Sequence, residues 1–180
     1  MVLEIRSKVE EAILSYFFIN EEEKLYLRQI ATRLGLDPSN TSKKMKELTK
    51  KEIFLSEQKG LQKYYYLNLR YPFFQELKNL VRKNYGLELD LKEVKKKIVS
   101  VETIYIFGSY LTDHFDQKSD IDLLCVGDFD ALTLSGELSK LEKKYGREIN
   151  AVEMDTKEFQ TRQKKRDQFL SNILKNKIEI

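Results

Sequence analysis

Apolar residues recur at helical spacing through the first third of the chain. Leu3, Val9, Ile13, Leu14, Phe17 and Phe18 return every three or four positions, with Glu4, Lys8 and Glu11 between them. That spacing predicts an amphipathic first helix. Leu27, Ile30, Ala31 and Leu34 mark a shorter helix over 25–34, and Gly35 suits a left-handed stop. Asp37-Pro38-Ser39 reads as the next helix start, with Asp37 or Ser39 as cap and Pro38 tolerated in the first turn. This third helix runs to about Lys51, with Thr41, Met45 and Leu48 inward. The segments 53–56 and 62–68 then predict two short strands around a turn at Lys59-Gly60. Phe73, Phe74, Leu77, Leu80 and Val81 give a helix over 71–85 that ends at Gly86. It links this part to the next or pairs with a second copy in a homodimer, because a bare stripe of that kind is an apolar patch.

From residue 90 helices and strands alternate. A helix over 91–99 precedes a strand over 103–107. A second strand, 121–126, follows Asp120, and a helix over 131–145 closes at Gly146. A strand over 148–154, a helix over 156–174 broken near Arg166-Asp167, and a last strand over 177–180 complete the pattern. A short connection makes the first two strands antiparallel neighbours, and a crossover helix makes 148–154 parallel to 121–126. The expected architecture is two-domain. The N-terminal part is mostly α with a small hairpin (α+β), and the C-terminal part is α/β with a small mixed sheet. The boundaries fall at 1–70, a linking helix over 71–89, and 90–180.

Composition narrows the class. Of 180 residues, 41% are hydrophobic and 34% charged, with ten Tyr and ten Phe, which excludes a disordered chain. No apolar run approaches the ~20 residues that span a bilayer, so no membrane partner is expected. The charged N-terminus is not a signal peptide, and the lone Cys125 cannot form an internal disulfide. Both fit a cytoplasmic location. The net charge of +3 is uneven: residues 28–63 carry nine basic side chains against Asp37, Glu47, Glu52 and Glu57. A basic stretch in a balanced chain suits a polyanion or a solvated helix face. In Tyr64-Tyr65-Tyr66, strand alternation sends Tyr65 opposite to its neighbours, which favours packing over base stacking. His114 lies in a loop, and Cys125 alternates into the core.

The chemistry gathers in the second part. Asp120 and Asp122 lie at i and i+2, on one strand face with Cα atoms about 7 Å apart. At ~4 Å and an effective dielectric of ~20, two such charges repel by roughly 4 kcal/mol. A divalent cation turns that repulsion into ligation, and oxygen-only ligands favour Mg²⁺ or Mn²⁺. The strand order brings Gly108-Ser109 and Glu148 to the same end of the sheet. Asn150 shares the face of Glu148, and Glu153 lies on the other. Gly108 lets a phosphate approach the backbone, where neighbouring N–H groups and the Ser109 hydroxyl bind it.

Helix, helix, tight turn, helix and hairpin resemble a winged helix-turn-helix DNA-binding domain over residues 3–70. That resemblance implies DNA as a partner. The outward positions of the third helix offer Asn40, Ser42, Lys43, Lys44, Lys46 and Lys50. The hairpin tip offers Lys59, Gln62 and Lys63. The lysines serve phosphates, while Asn40 and Ser42 are the base readers. Many such domains carry Gly where this chain has Glu52.

Phe107-Gly108-Ser109, ten residues, and Asp120-Ile121-Asp122-Leu123 resemble the minimal nucleotidyltransferases of the polymerase-beta superfamily, over about residues 98–180. The resemblance implies a nucleotidyltransferase fold for the C-terminal part. Asp120, Asp122 and Glu148 become metal-binding catalytic residues for Mg²⁺ (or Mn²⁺), and Gly108 and Ser109 hold the triphosphate of an NTP such as ATP. Where many relatives have Ala-Arg-Gly, this chain has Leu111-Thr112-Asp113. Some relatives act with a partner protein that carries an acceptor tyrosine. The expected function is a DNA-binding regulator that transfers NMP from an NTP to an acceptor, a partner protein in an antitoxin-like arrangement. The alternatives are a regulator whose nucleotidyltransferase-like part only senses nucleotide or dimerises, and transfer to an antibiotic or other small molecule.

Overall fold

A computed structural model describes residues 5, 7–112, 115–116 and 118–180. The expectations for Leu3, Glu4, Asp113 and His114 lie outside the described residues. The chain divides into two compact units, Met1–Gly86 and Leu87–Ile180.

The first unit is a winged helix. Ser7 caps α1 (Lys8–Phe17) by accepting from the Glu10 N–H. Leu25–Tyr26 form a short strand, β1, and not the first turn of a helix, because they pair with the hairpin. α2 (Leu27–Leu34) ends at Gly35, whose φ of 62° supplies the left-handed turn. Asp37 is the cap of α3 (Pro38–Lys50), accepting from the Asn40 N–H at 2.8 Å. β2 (Phe54–Lys59) and β3 (Gln62–Leu67) form the wing, and the sheet order is β1-β3-β2. Thr41, Met45 and Leu48 face inward as their spacing requires, and Tyr65 is buried between half-buried Tyr64 and Tyr66. α4 (Phe74–Asn84) places Phe74, Leu77 and Val81 in the same core as Ile13, Phe17 and Phe54. That packing covers most of the apolar stripe within this unit, while Phe73 stays exposed.

Glu52 occupies the turn between α3 and β2 with φ 60°. A non-glycine residue there costs roughly 1–2 kcal/mol. Asn68 Nδ2 donates to the Glu52 carbonyl at 2.8 Å, and the Ile53 N–H returns to the Leu48 carbonyl at 3.1 Å. These bonds hold the turn in the conformation that glycine would adopt freely.

The second unit begins with α5 (Leu87–Lys97) and is built on a sheet of order β6-β5-β4-β7. β4 (Val101–Phe107) is antiparallel to β5 (Ile121–Gly127), and β5 is parallel to β6 (Ile149–Met154). α6 (Ala131–Tyr145) makes the crossover and ends at Gly146, φ 63°. α7 (Thr156–Lys164) and α8 (Gln168–Lys175) are separated by Arg166, at φ 54°. β7 (Ile178–Glu179) adds antiparallel to β4. Alternation sends Tyr105, Leu124, Val126 and Met154 to one face, where they pack with Leu170 and Ile173 of α8. α5 packs on β4 and α6 on β6. Among the described residues no helix is long and apolar enough to cross a membrane.

Candidate functional site

The aspartate site lies at the end of the sheet where β4 finishes and β5 begins. Phe107 pairs with Asp122, so Gly108 follows at the rim directly beside that carboxylate. Gly108 has φ +74° and opens a short 3-10 turn, Gly108–Leu111. A Cβ at this position would collide with Asp122 Oδ2 and lie 3.3 Å from its Cγ. Glycine is therefore required twice, once for the backbone angle and once for the room that Asp122 takes.

Asp122 pairs in register with Asn150 on β6, and the Ile121 N–H donates to the Glu148 carbonyl at 2.9 Å. The parallel ladder thus brings Asn150 to the aspartates. Asn150 Nδ2 donates to Asp120 Oδ2 at 3.2 Å, and the same amide reaches Asp122. Burial raises the pKa of Asp122 above the ordinary carboxylate value. The charge of Asp120 raises it further, and the Asn150 amide partly offsets both. Among the described residues no lysine or arginine forms an ion pair with either aspartate. Two like charges with a shared neutral amide form an oxygen donor set that fits a hard divalent cation. Mg²⁺ is commonly bound by one or two carboxylates, with water and phosphate oxygens completing its shell.

Glu148 is exposed at the foot of β6. Among the described residues no group of three or more His, Cys, Asp or Glu side chains is gathered closely enough to hold an ion. The side chain that β6 brings to Asp120 and Asp122 is Asn150. Ser109 is half-buried in the turn, and its carbonyl accepts from the Thr112 hydroxyl at 2.9 Å.

Arg147 takes a role that its local sequence does not indicate. It is 7% exposed, and its Nη1 donates to the carbonyls of Asp116 at 2.6 Å and Ser119 at 3.0 Å. Its guanidinium also lies over the Phe115 ring at 4.8 Å. The Asp116 carboxylate, held below its ordinary pKa by the Lys118 N–H and the Ser119 hydroxyl, tightens the same turn. Arg147 thus ties the approach to Asp120 down onto β6. An arginine after a helix-stop glycine gives no local signal of this. The role exists only because the fold brings Phe115, Asp116 and Ser119 across to it.

Cys125 is buried, and its thiol is pushed up to about 12 by burial and by Glu153. It is a core residue.

On the winged helix, Asn40, Lys43, Lys46 and Lys50 of α3 are exposed, and Ser42 is half-buried. Lys44 is held by Glu47 at 2.6 Å and by Glu10 of α1 at 3.2 Å. The bond to Glu47 raises its ammonium pKa against the lowering effect of burial. Lys59 pairs with Glu57 at 3.0 Å, and Lys63 lies 5.7 Å from the Tyr65 ring.

Comparison with known proteins gives three findings. Residues 88–180, just over half of the chain, match the model of a family described as a nucleotidyltransferase domain. A stretch of 52 residues is 42% identical to a protein of Methanocaldococcus jannaschii provisionally named a protein adenylyltransferase. The match covers 29% of this chain and 52% of that relative, so the chain spans about half of the relative's length. Two solved structures are loosely similar. The adhesin competence repressor AdcR of Streptococcus pyogenes has TM-score 0.36 at 18% identity, over 51% of this chain and 66% of that one. A mutant ZitR of Lactococcus lactis has TM-score 0.38 at 21% identity, over 51% and 67%.

Proposed function

The chain belongs to the nucleotidyltransferase domain family through residues 88–180, and on that premise we propose that it transfers a nucleoside monophosphate from an NTP to an acceptor hydroxyl. The observation that carries this reading is the packing of Gly108 against Asp122, with Asp120 on the same rim. A divalent cation, Mg²⁺ or Mn²⁺, held by Asp120 and Asp122 would neutralise charge on the phosphates and on the departing pyrophosphate. Gly108 and Ser109 receive the triphosphate, the glycine by leaving its backbone open and the serine through its hydroxyl. The acceptor oxygen bonds to the α-phosphorus, the bond to the β-phosphate breaks, and pyrophosphate leaves. Glu148 takes the proton released by the acceptor. Asn150 keeps the two carboxylates oriented through its amide. Positioning and charge stabilisation supply the rate enhancement.

ATP is the donor, and a protein hydroxyl is the acceptor, in line with the name of the M. jannaschii relative. The winged helix binds DNA through Asn40, Ser42, Lys43, Lys46 and Lys50 on α3 and through Lys59 and Lys63 on the wing. Lys44 serves the contact between α3 and α1 instead. The protein acts as a regulator in the cytoplasm.

A second reading draws on Asn150. A neutral amide beside the aspartates, where a further carboxylate would strengthen metal binding, favours nucleotide sensing without transfer. One experiment separates the two. The protein is incubated with Mg²⁺, ATP labelled at the α-phosphate, and host lysate. Transfer predicts a labelled acceptor that is lost in Asp120→Asn and Asp122→Asn. Sensing predicts metal-dependent ATP binding with no labelled product. Absence of metal-dependent NTP binding contradicts both.

A further inference from the structure

We infer that the cleft between Gly108 and α8 holds the adenine ring of the bound nucleotide, with Phe169 as its stacking surface and Asn172 and Asn176 as the groups that select it. The inference rests on the reading of Gly108-Ser109 and the aspartate pair as a nucleotide site, and adds where the base lies and what chooses it.

The cleft has a volume of about 400 Å³. This falls in the range of small-ligand pockets. Phe107 and Gly108 form one wall, and Phe169, Asn172, Ile173 and Asn176 form the other. Gly108 is common to the cleft and to the aspartate site, since its missing Cβ leaves the space against Asp122. A molecule with phosphates at the rim therefore has a direct continuation into the cleft. Phe169, Asn172 and Ile173 stand at i, i+3 and i+4 on one stripe of α8, and Asn176 follows at its C-terminal end, where the backbone is extended.

The chemistry of the lining matches a neutral, flat heterocycle. In a chain that is 34% charged, none of the described residues that line the cleft carries a charge. A lining without charge suits a base. Phe169 is 43% exposed, whereas Leu170 and Ile173 on the same helix are buried. Its ring meets Phe107 edge-on, with centroids 6.3 Å apart and planes at 89°. An aromatic that is not consumed by the core offers a ring to stack upon. Asn172 and Asn176 supply carboxamides: Asn172 Oδ1 accepts from Gln168 Nε2 at 2.9 Å, which leaves its Nδ2 to donate, and Asn176 offers a donor and an acceptor side by side. That pair matches the adjacent acceptor and donor on the edge of adenine. Guanine is most often read by Arg or Lys, and neither lines the cleft among the described residues.

The test is a calorimetric binding panel in Mg²⁺ using the full chain. ATP, GTP, CTP, UTP and inorganic tripolyphosphate are titrated into wild type, Phe169→Ala and the double variant Asn172→Ala/Asn176→Ala. Wild type is expected to prefer ATP. Phe169→Ala weakens ATP by roughly tenfold or more, while tripolyphosphate binds as before. The double variant lowers the preference for ATP over GTP by roughly tenfold. Tripolyphosphate binding also reports that each variant is folded. Equal affinity of wild type for all four NTPs overturns the inference without recourse to any variant. So does an unchanged ATP-to-GTP ratio in the double variant. If neither ATP nor tripolyphosphate binds wild type in Mg²⁺, the nucleotide-site reading itself falls and the inference falls with it.

Discussion

The winged helix and the aspartate site of the second unit arrange their charges in opposite ways. On the winged helix, carboxylates repeatedly meet cations of the same unit. Glu10 and Glu47 hold Lys44, Glu57 holds Lys59 and Lys24, and Glu23 holds Arg33. In the nucleotidyltransferase unit, Asp120 and Asp122 face each other with a neutral amide between them. A paired charge is explained within the fold, and at an exposed site it contributes at most about 1 kcal/mol. Two like charges placed together raise the energy of the folded state and need an outside partner to justify them. The contrast marks the aspartate pair as charges that wait for a ligand.

Asp122→Asn carries the largest expected effect. Nucleotidyl transfer should fall by about 100-fold or more, because the carboxylate pair is lost. Thermal stability should rise at neutral pH. Asp122 has a folded pKa above its unfolded value. The stability it contributes is fully present below the ordinary carboxylate pKa and is lost as pH rises through the raised value. Melting curves across that range should show Asp122→Asn gaining on wild type as pH increases. A variant that loses both activity and stability at neutral pH would place Asp122 among the structural charges instead.

Two glycines of the same unit sharpen the comparison. Gly108→Ala puts a Cβ into the Asp122 carboxylate at a strained φ, and should destabilise by roughly 1–3 kcal/mol. Gly136, inside α6, has nothing within 4 Å of the position a Cβ would take. Gly136→Ala should stabilise by about 0.5–1 kcal/mol. Urea denaturation of both variants measures the pair, and equal effects would contradict the geometry.

Among the α3 lysines the same logic divides neighbours. Lys46→Ala should weaken DNA binding and lower the salt slope by about 1, as loss of one phosphate contact does. Lys44→Ala should leave the slope nearly unchanged and instead lose up to about 1 kcal/mol of stability. A salt titration on nonspecific duplex DNA reads the first effect, and denaturation reads the second. A further small effect concerns a turn. Glu52→Gly should stabilise by about 1 kcal/mol by removing the left-handed strain, measurable as a shift in the urea midpoint.

Much of this molecule was legible in its sequence, for reasons that differ by region. α6 begins and ends where the pattern placed it, because Asp130 and Gly146 mark its ends locally. The break between α7 and α8 follows Arg166-Asp167, where Asp167 caps the second helix. The strand directions around the site followed from connection lengths. β1 was misread as helix, since two residues with helical spacing were captured by a strand 40 positions later. That is tertiary pairing overriding local pattern. At the site, Gly108, Asp120 and Asp122 were readable because a strand and its turn set them. The face of Asn150 was readable too, but its bond to Asp120 and the role of Arg147 were not, because they depend on the register of β6 against β5 and on residues folded across it. Register is a long-range property, and a one-residue slip would have sent Asn150 to the other face.

The central claim is that Asp120 and Asp122 form a site for a metal-bound nucleotide at the Gly108 rim. It is tested most directly by titrating ATP into wild type and into the double variant Asp120→Asn/Asp122→Asn, with Mg²⁺ and then with EDTA. The account predicts binding by wild type in Mg²⁺, its loss in EDTA, and none by the double variant in either condition. ATP binding that is indifferent to both Mg²⁺ and the two substitutions would contradict it.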